Sequence, residues 1–173
     1  MIPVLAVCGA GAAGIELSFA FKNRWSKLFK QDIKTTLICS EPDIMLHESK
    51  AARDMTKAKL QEHGISIINN AIVDCVNENG IVLKDGRVIN CNVPVWATGA
   101  EPQLITMRSN LEVLDNYFRV NDYLQSTSHP NVFAGGDCIT MESYSRTANP
   151  QLEKSNFPPK AGVYAVREGP FIA

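Results

Sequence analysis

Val4-Leu5-Ala6-Val7-Cys8-Gly9-Ala10-Gly11-Ala12-Ala13-Gly14 joins three signals in one short stretch. Val4 to Cys8 is wholly apolar, as a strand buried on both faces of a parallel sheet is. From Ala12 to about Phe29, apolar residues recur at Ile15, Leu17, Phe19, Ala20, Trp25, Leu28 and Phe29, with basic residues from Lys22 onward. This pattern predicts a helix whose last turns are cationic. Between them lies G-x-G-x-x-G, in the one context where it is informative. Gly9 permits a tight turn, Gly11 lets a pyrophosphate approach the backbone, and Gly14 lets helix and strand pack closely. Free N–H groups at the helix start would meet the phosphate charge. A plain tight turn is the alternative, but strand, helix, second strand and a following acid together favour a dinucleotide.

Working outward, Thr35 to Cys39 reads as a second buried strand, followed by the turn Ser40-Glu41-Pro42-Asp43. A second helix is expected from about Ser49 to His63, with Gly64 as its stop, and a third strand at Ser66 to Ile68. This β-α-β-α-β succession is the mononucleotide-binding half of a doubly wound sheet with right-handed crossovers. The period then changes. Ala71 to Val76, Gly80 to Leu83 and Arg87 to Cys91 are short strands separated by turn residues, which predicts a β-meander. Val93 to Ala97 is a further buried strand running into Thr98-Gly99-Ala100. Beyond Gly99 the pattern loosens. A short strand is expected at Asn131 to Ala134, before Gly135-Gly136-Asp137-Cys138, then a loop from Glu142 to Pro159 and a final helix starting near Pro159 or Lys160. The expected division is 1–97 and 98–173.

Composition narrows the function classes. The 173 residues carry 17 Lys plus Arg against 18 Asp plus Glu, a net charge of −1, so no electrostatic footprint for nucleic acid is present. Five cysteines without a C-x-x-C pair argue against a disulfide framework. Cys8, Cys39 and Cys75 sit in apolar runs and read as reduced core thiols, which suggests a reducing compartment such as the cytoplasm. No signal peptide is read at the start, and no run of about 18 apolar residues predicts a membrane span. His47, His63 and His129 lack ligand spacing, so no metal is expected. Neither G-x-S-x-G nor a P-loop occurs.

Glu41 lies just past the second strand, somewhat farther from Gly14 than the usual spacing of about 20 residues. A carboxylate there accepts hydrogen bonds from the adenosine ribose and repels a 2′-phosphate, and no Arg follows until Arg53. NADH is therefore favoured over NADPH, with Ser40 as the alternative occupant of the ribose position. Glu16 is expected in the first helical turn, where a carboxylate is also simply favourable to the helix dipole.

Four stretches, GAGAAGIE from Gly9, WATGAEP from Trp96, SHPNVFAGGDC from Ser128 and PPKAGVYAVREGP from Pro158, together resemble the pyridine nucleotide-disulfide oxidoreductases, the two-dinucleotide-domain flavoproteins. Within them the combination is most similar to the NADH dehydrogenase-like flavoproteins found beside or fused to selenide, water dikinase. The resemblance implies α/β architecture: a Rossmann-like NAD-binding domain with a β-meander, residues 1–97, and an incomplete C-terminal part of an FAD-binding domain, residues 98–173. It implies NAD(H) and FAD as cofactors. Gly9, Gly11 and Gly14 would hold the NADH pyrophosphate, Glu41 its ribose, and Glu16 would match the family's acid near the nicotinamide. Thr98 and Gly99 match the crossing back into the FAD domain. Gly136 and Asp137, the family's G-D motif, would bind the ribityl chain or nearby phosphate of FAD. Lys160 and Ala161 would begin a helix facing the flavin pyrimidine ring, where a cation and free N–H groups stabilise the reduced flavin. A solvated lysine is the alternative.

Two departures accompany the resemblance. With one G-x-G-x-x-G present, the family's amino-terminal FAD half is expected to be missing from this chain, as is its C-terminal interface domain. A fragment or truncated product is therefore expected, with the FAD-binding half missing in cis or supplied in trans. No redox cysteine pair supports disulfide reduction. The expected function is FAD-dependent NADH oxidation with transfer to an unidentified acceptor. A non-catalytic NAD(H)-binding redox sensor and one subunit of a split flavoprotein are the alternatives.

Overall fold

Burial of the apolar runs decides the layering. The computed structural model describes residues 1–46, 48–144 and 160–172, and the chain forms two compact units, Met1–Thr98 and Gly99–Ala173. In the first unit, β1 (Leu5–Cys8), β2 (Thr35–Ile38), β3 (Ile65–Ile68) and the later β7 (Val93–Trp96) form a parallel sheet in the order β3-β2-β1-β7. All residues of β1 and β2 are buried. Alternation splits them between two cores. Leu5, Val7 and Leu37 pack with Ile15, Ile33 and Leu60 on the helical side, while Ala6, Cys8 and Ile38 pack with Ala71, Ile81 and Leu83 on the other.

The helices follow their sequence signals closely. α1 spans Ala12–Phe29 and stops at Lys30, which takes the left-handed conformation (φ 51°). α2 spans Lys50–Glu62, and Ser49 caps it by accepting the Ala52 N–H at 3.2 Å. Gly64, with φ of +65°, follows. Lys22, the first of the basic residues along α1, is turned inward. It is buried, with its ammonium 2.8 Å from both Asp32 Oδ1 and the Ile33 carbonyl, partners that compensate the charge.

The expected meander is present as β4 (Val73–Asn77), β5 (Gly80–Leu83) and β6 (Val88–Asn90), paired antiparallel in that order. Cys75 corrects the expectation of a core thiol: it is exposed. A register shift between Val73 and Cys75 breaks the inward alternation there. β7 is likewise a half-buried strand instead of a fully buried one, because it lies at the sheet edge with Pro94 and Trp96 exposed.

In the second unit, α3 (Leu104–Arg108) precedes β8 (Val113–Leu114), β9 (Tyr117–Val120) and β10 (Ile139–Met141), in the sheet order β10-β9-β8. Asp115 and Asn116, with φ of 52° and 65°, make the tight turn between β8 and β9. Phe118, Val120, Leu124 and Ile139 form the core. The strand expected at Asn131 to Ala134 is absent; a single bridge links Phe133 to Gln125. Val132 instead donates its N–H to His129 in a local turn. Glu142–Tyr144 is a 3₁₀ turn, and the rest of the expected loop, 145–159, lies outside the described residues. α4 runs over Gly162–Ile172, so Lys160 and Ala161 precede this helix instead of beginning it. Ala161 accepts the Tyr164 N–H at 3.0 Å.

Candidate functional site

The glycine turn after β1 is shaped by three different constraints. Gly9 has φ of +106°, and a Cβ there would lie 2.3 Å from the Ala97 carbonyl oxygen. A Cβ at Gly14 would lie 1.8 Å from the Gly9 carbonyl oxygen. Gly11 has nothing within 4 Å of its Cβ position. Gly9 and Gly14 are thus closed by the protein's own backbone, whereas Gly11 opens onto free space at the start of α1. It is the N-cap, with no side-chain cap bond and no acid in the first turn. These features fit a pyrophosphate placed against the helix N-terminus. Glu16 is exposed and falls in the second turn, because the helix begins at Ala12, which corrects its expected place in the first.

The loop after β2 flanks this turn. Gly9 donates its N–H to Ile38 O at 2.9 Å, and Met45 donates to Ala10 O at 3.1 Å. Ser40 and Glu41 are exposed, and the Glu41 carbonyl accepts the Asn70 N–H at 3.0 Å. Four neighbouring side chains, Asn69, Asp43, Lys57 and Arg53, were given no site role by the sequence. Asn69 Oδ1 is buried without a hydrogen-bond partner. Asp43, read only as a turn residue, accepts Lys57 Nζ at 3.1 Å and lies 3.6 Å from Arg53 Nε. The Lys57 ammonium, then the Ile44 N–H and the Arg53 charge, hold the Asp43 carboxyl below its ordinary range. Thr98 and Gly99 are both exposed, and the division between the units falls between them.

In the second unit a cleft of about 490 Å³ is lined in part by Gly135, Gly136, Asp137, Cys138, Gly162 and Ala165. Gly136 has φ of +74°, and a Cβ there would lie 2.9 Å from the Ala165 Cβ, so α4 passes close over the turn. Its N–H donates to Glu168 Oε2 at 2.5 Å. Asp137 is exposed. Burial pushes the Cys138 thiol up. Lys160 is turned inward: its ammonium donates to the Ile139 carbonyl and sits 4.1 Å from the centroid of the Tyr117 ring. Burial pulls its pKa down, against the opposing charges of Asp137, Cys138 and Glu168. A freely solvated Lys160 therefore does not describe this chain.

A parallel β-α-β-α-β sheet whose glycine turn is sealed at Gly9 and Gly14 and open at Gly11 defines a dinucleotide-binding unit. The chain belongs to the pyridine nucleotide-disulphide oxidoreductase family, whose family model matches residues 3–157. It is 26% identical over 170 residues to the type II NADH:quinone oxidoreductase of Haemophilus influenzae, covering 91% of this chain and 38% of that one. The fold matches the water-forming NADH oxidase of Lactobacillus brevis bound to NADH, with a TM-score of 0.75 at 21% identity over 98% of this chain and 36% of that one. It also matches an FAD-dependent pyridine nucleotide-disulphide oxidoreductase from Desulfovibrio vulgaris, with a TM-score of 0.75 at 23% identity, over 98% and 41% of the two chains. The chain thus spans 38% of the length of that curated relative. Among the described residues no helix is long and apolar enough to cross a membrane.

Proposed function

We propose that residues 1–97 hold NAD(H), that residues 98–173 contribute part of an FAD site, and that the chain works within an FAD-dependent NADH oxidoreductase. The observation that carries this reading is the contrast between open Gly11 and closed Gly9 and Gly14. When bound, the two cofactors supply the redox chemistry, a hydride passing from nicotinamide to flavin and electrons onward to an acceptor. This chain's residues bind and orient. Gly9, Gly11 and Gly14 shape the pyrophosphate seat, Glu41 meets the adenosine ribose, and Glu16 lies toward the nicotinamide end. Thr98 and Gly99 mark the crossing between cofactor sites. Gly136 and Asp137 offer a backbone turn and an exposed carboxylate to the ribityl chain, while Ala161 and Lys160 stand before the helix that faces the flavin.

The described residues fit FAD only in part. Asp137 and the cleft suit a ribityl hydroxyl, but no second glycine cradle for the FAD pyrophosphate occurs among them. The second reading is an NAD(H)-binding module without flavin, for which the open Gly11 seat would serve equally. The buried free thiols Cys8 and Cys39 fit a reducing compartment such as the cytoplasm, and the motif resemblance set out above is the ground for an association with a selenide, water dikinase. Titration with NADH, followed by cofactor fluorescence, tests the first unit; absence of saturable binding overturns the proposal. Adding FAD and recording the visible spectrum separates an oxidoreductase from a flavin-free module.

A further inference from the structure

The loop leaving β2 is fastened to the glycine turn. Met45 donates to Ala10 O at 3.1 Å, and fully buried Ile44 shares a core with Ala10 and Ile15. Between this anchor and Glu41 stands Asp43. Its Oδ1 accepts the Ile44 N–H at 2.9 Å, leaving Oδ2 to face α2. There it meets Lys57 Nζ at 3.1 Å and Arg53 Nε at 3.6 Å, two cations one helical turn apart. Lys57 also reaches Asp54 Oδ1 at 3.1 Å. Arg53 has no second side-chain partner among the described residues, and its Nε is buried without a hydrogen bond. Among the described residues Asp43 is therefore the carboxylate that neutralises this guanidinium.

An arginine and a lysine beside the ribose-facing loop are the groups that would clamp a phosphate monoester, which brings about two negative charges. We infer that Asp43 determines cofactor specificity by masking Arg53 and Lys57, so that the loop offers a 2′-phosphate no free cation. The inference rests on NAD(H) occupying the glycine turn. Glu41 repels the 2′-phosphate directly, and Asp43 removes the attraction that would offset that repulsion. Specificity here has both a repulsive and a withheld attractive element.

Asp43→Asn keeps an acceptor for the Ile44 N–H while removing the charge. Affinities for NADH, NADPH and the fragment 2′,5′-ADP are to be measured for the 173-residue chain and this variant. NADPH and 2′,5′-ADP should bind about tenfold tighter to the variant, with NADH nearly unchanged, and Asp43→Asn combined with Arg53→Gln should cancel the gain. Asp43→Ser, whose hydroxyl can also accept from Ile44, is the second variant and carries the same expectation if the first does not fold. Unaltered NADPH-to-NADH preference in a folded, NADH-binding variant overturns the masking role alone. Failure of the native chain to bind NADH at all overturns instead the reading of the site.

Discussion

A methyl group at Gly14 would sit 1.8 Å from a backbone oxygen, whereas one at Gly11 would meet nothing within 4 Å. The two glycines should therefore fail differently when replaced by alanine. Gly14→Ala forces strand and helix apart, and the variant should lose cooperative unfolding together with NADH binding. Gly11→Ala should keep stability within about 1 kcal/mol, the scale of an N-cap change, yet weaken NADH by about tenfold or more, because the pyrophosphate loses its approach. Equal NADH affinity in Gly11→Ala would remove the phosphate seat from this turn. Cys8 makes a second prediction. Burial, with a smaller contribution from Cys91, pushes its thiol from 9.0 up to about 11. A folded-state pKa above the unfolded value means stability present below pH 9 and lost as pH rises through 11. The loss is up to about 2–3 kcal/mol. Urea unfolding across that range should show a shallower alkaline decline in Cys8→Ala. The tight turn at Gly9 and the close packing at Gly14 were legible because each follows from spacing along one turn. The Asp43, Arg53 and Lys57 contact was not, since it joins a loop to a helix face and leaves no local signature.

The elements of the first unit were legible almost to the residue, because two long helices with their own start and stop signals separate its parallel strands. β1 and β2 are buried at every residue, and α2 carries both its Ser49 cap and its Gly64 stop. In the second unit the strands span two to four residues, and β9 pairs in parallel with β10 from far along the chain. Such pairs carry no periodicity long enough to read, although Asp115-Asn116 between apolar residues was a turn signal that could have been used. α4 shows what holds a helix with no buried residue. Its fastening to the Gly136 turn runs through the Glu168 carboxylate and the close approach of Ala165. Glu168→Ala should loosen it by about 1.5–3 kcal/mol, the worth of a hydrogen bond to a charged group. Glu168→Gln, which still accepts from Gly136, should restore most of that. Hydrogen exchange over residues 162–172 reads the difference, and equal protection in all three proteins would show that α4 is held elsewhere.

At the scale of the molecule the two units are unequally equipped. The first covers its sheet on both sides, with helices over one core and the meander over the other. The core of the second comprises Phe118, Val120, Leu124 and Ile139, while Val166 and Phe171 of α4 are 76% and 83% exposed. Apolar groups left in water on a helix contribute nothing to its order and invite association. Residues 1–98 alone should therefore fold cooperatively and bind NADH as tightly as the 173-residue chain. The 173-residue chain should bind one NADH, yet neither retain FAD nor turn over NADH. On the proposed reading Asp137 and its cleft would meet only the ribityl part of that cofactor, and no described segment supplies a cradle for its pyrophosphate. Exposed α4 should raise the binding of an apolar dye, and Val166→Lys with Phe171→Lys should lower it without touching NADH affinity. The measurement is a visible spectrum after incubation with FAD and removal of the excess, followed by turnover with an artificial acceptor. A stoichiometric flavin spectrum with turnover would mean that the Gly135 to Cys138 turn and α4 build a sufficient flavin site without a second glycine cradle, and the proposed division of labour between the two units would have to be redrawn around it.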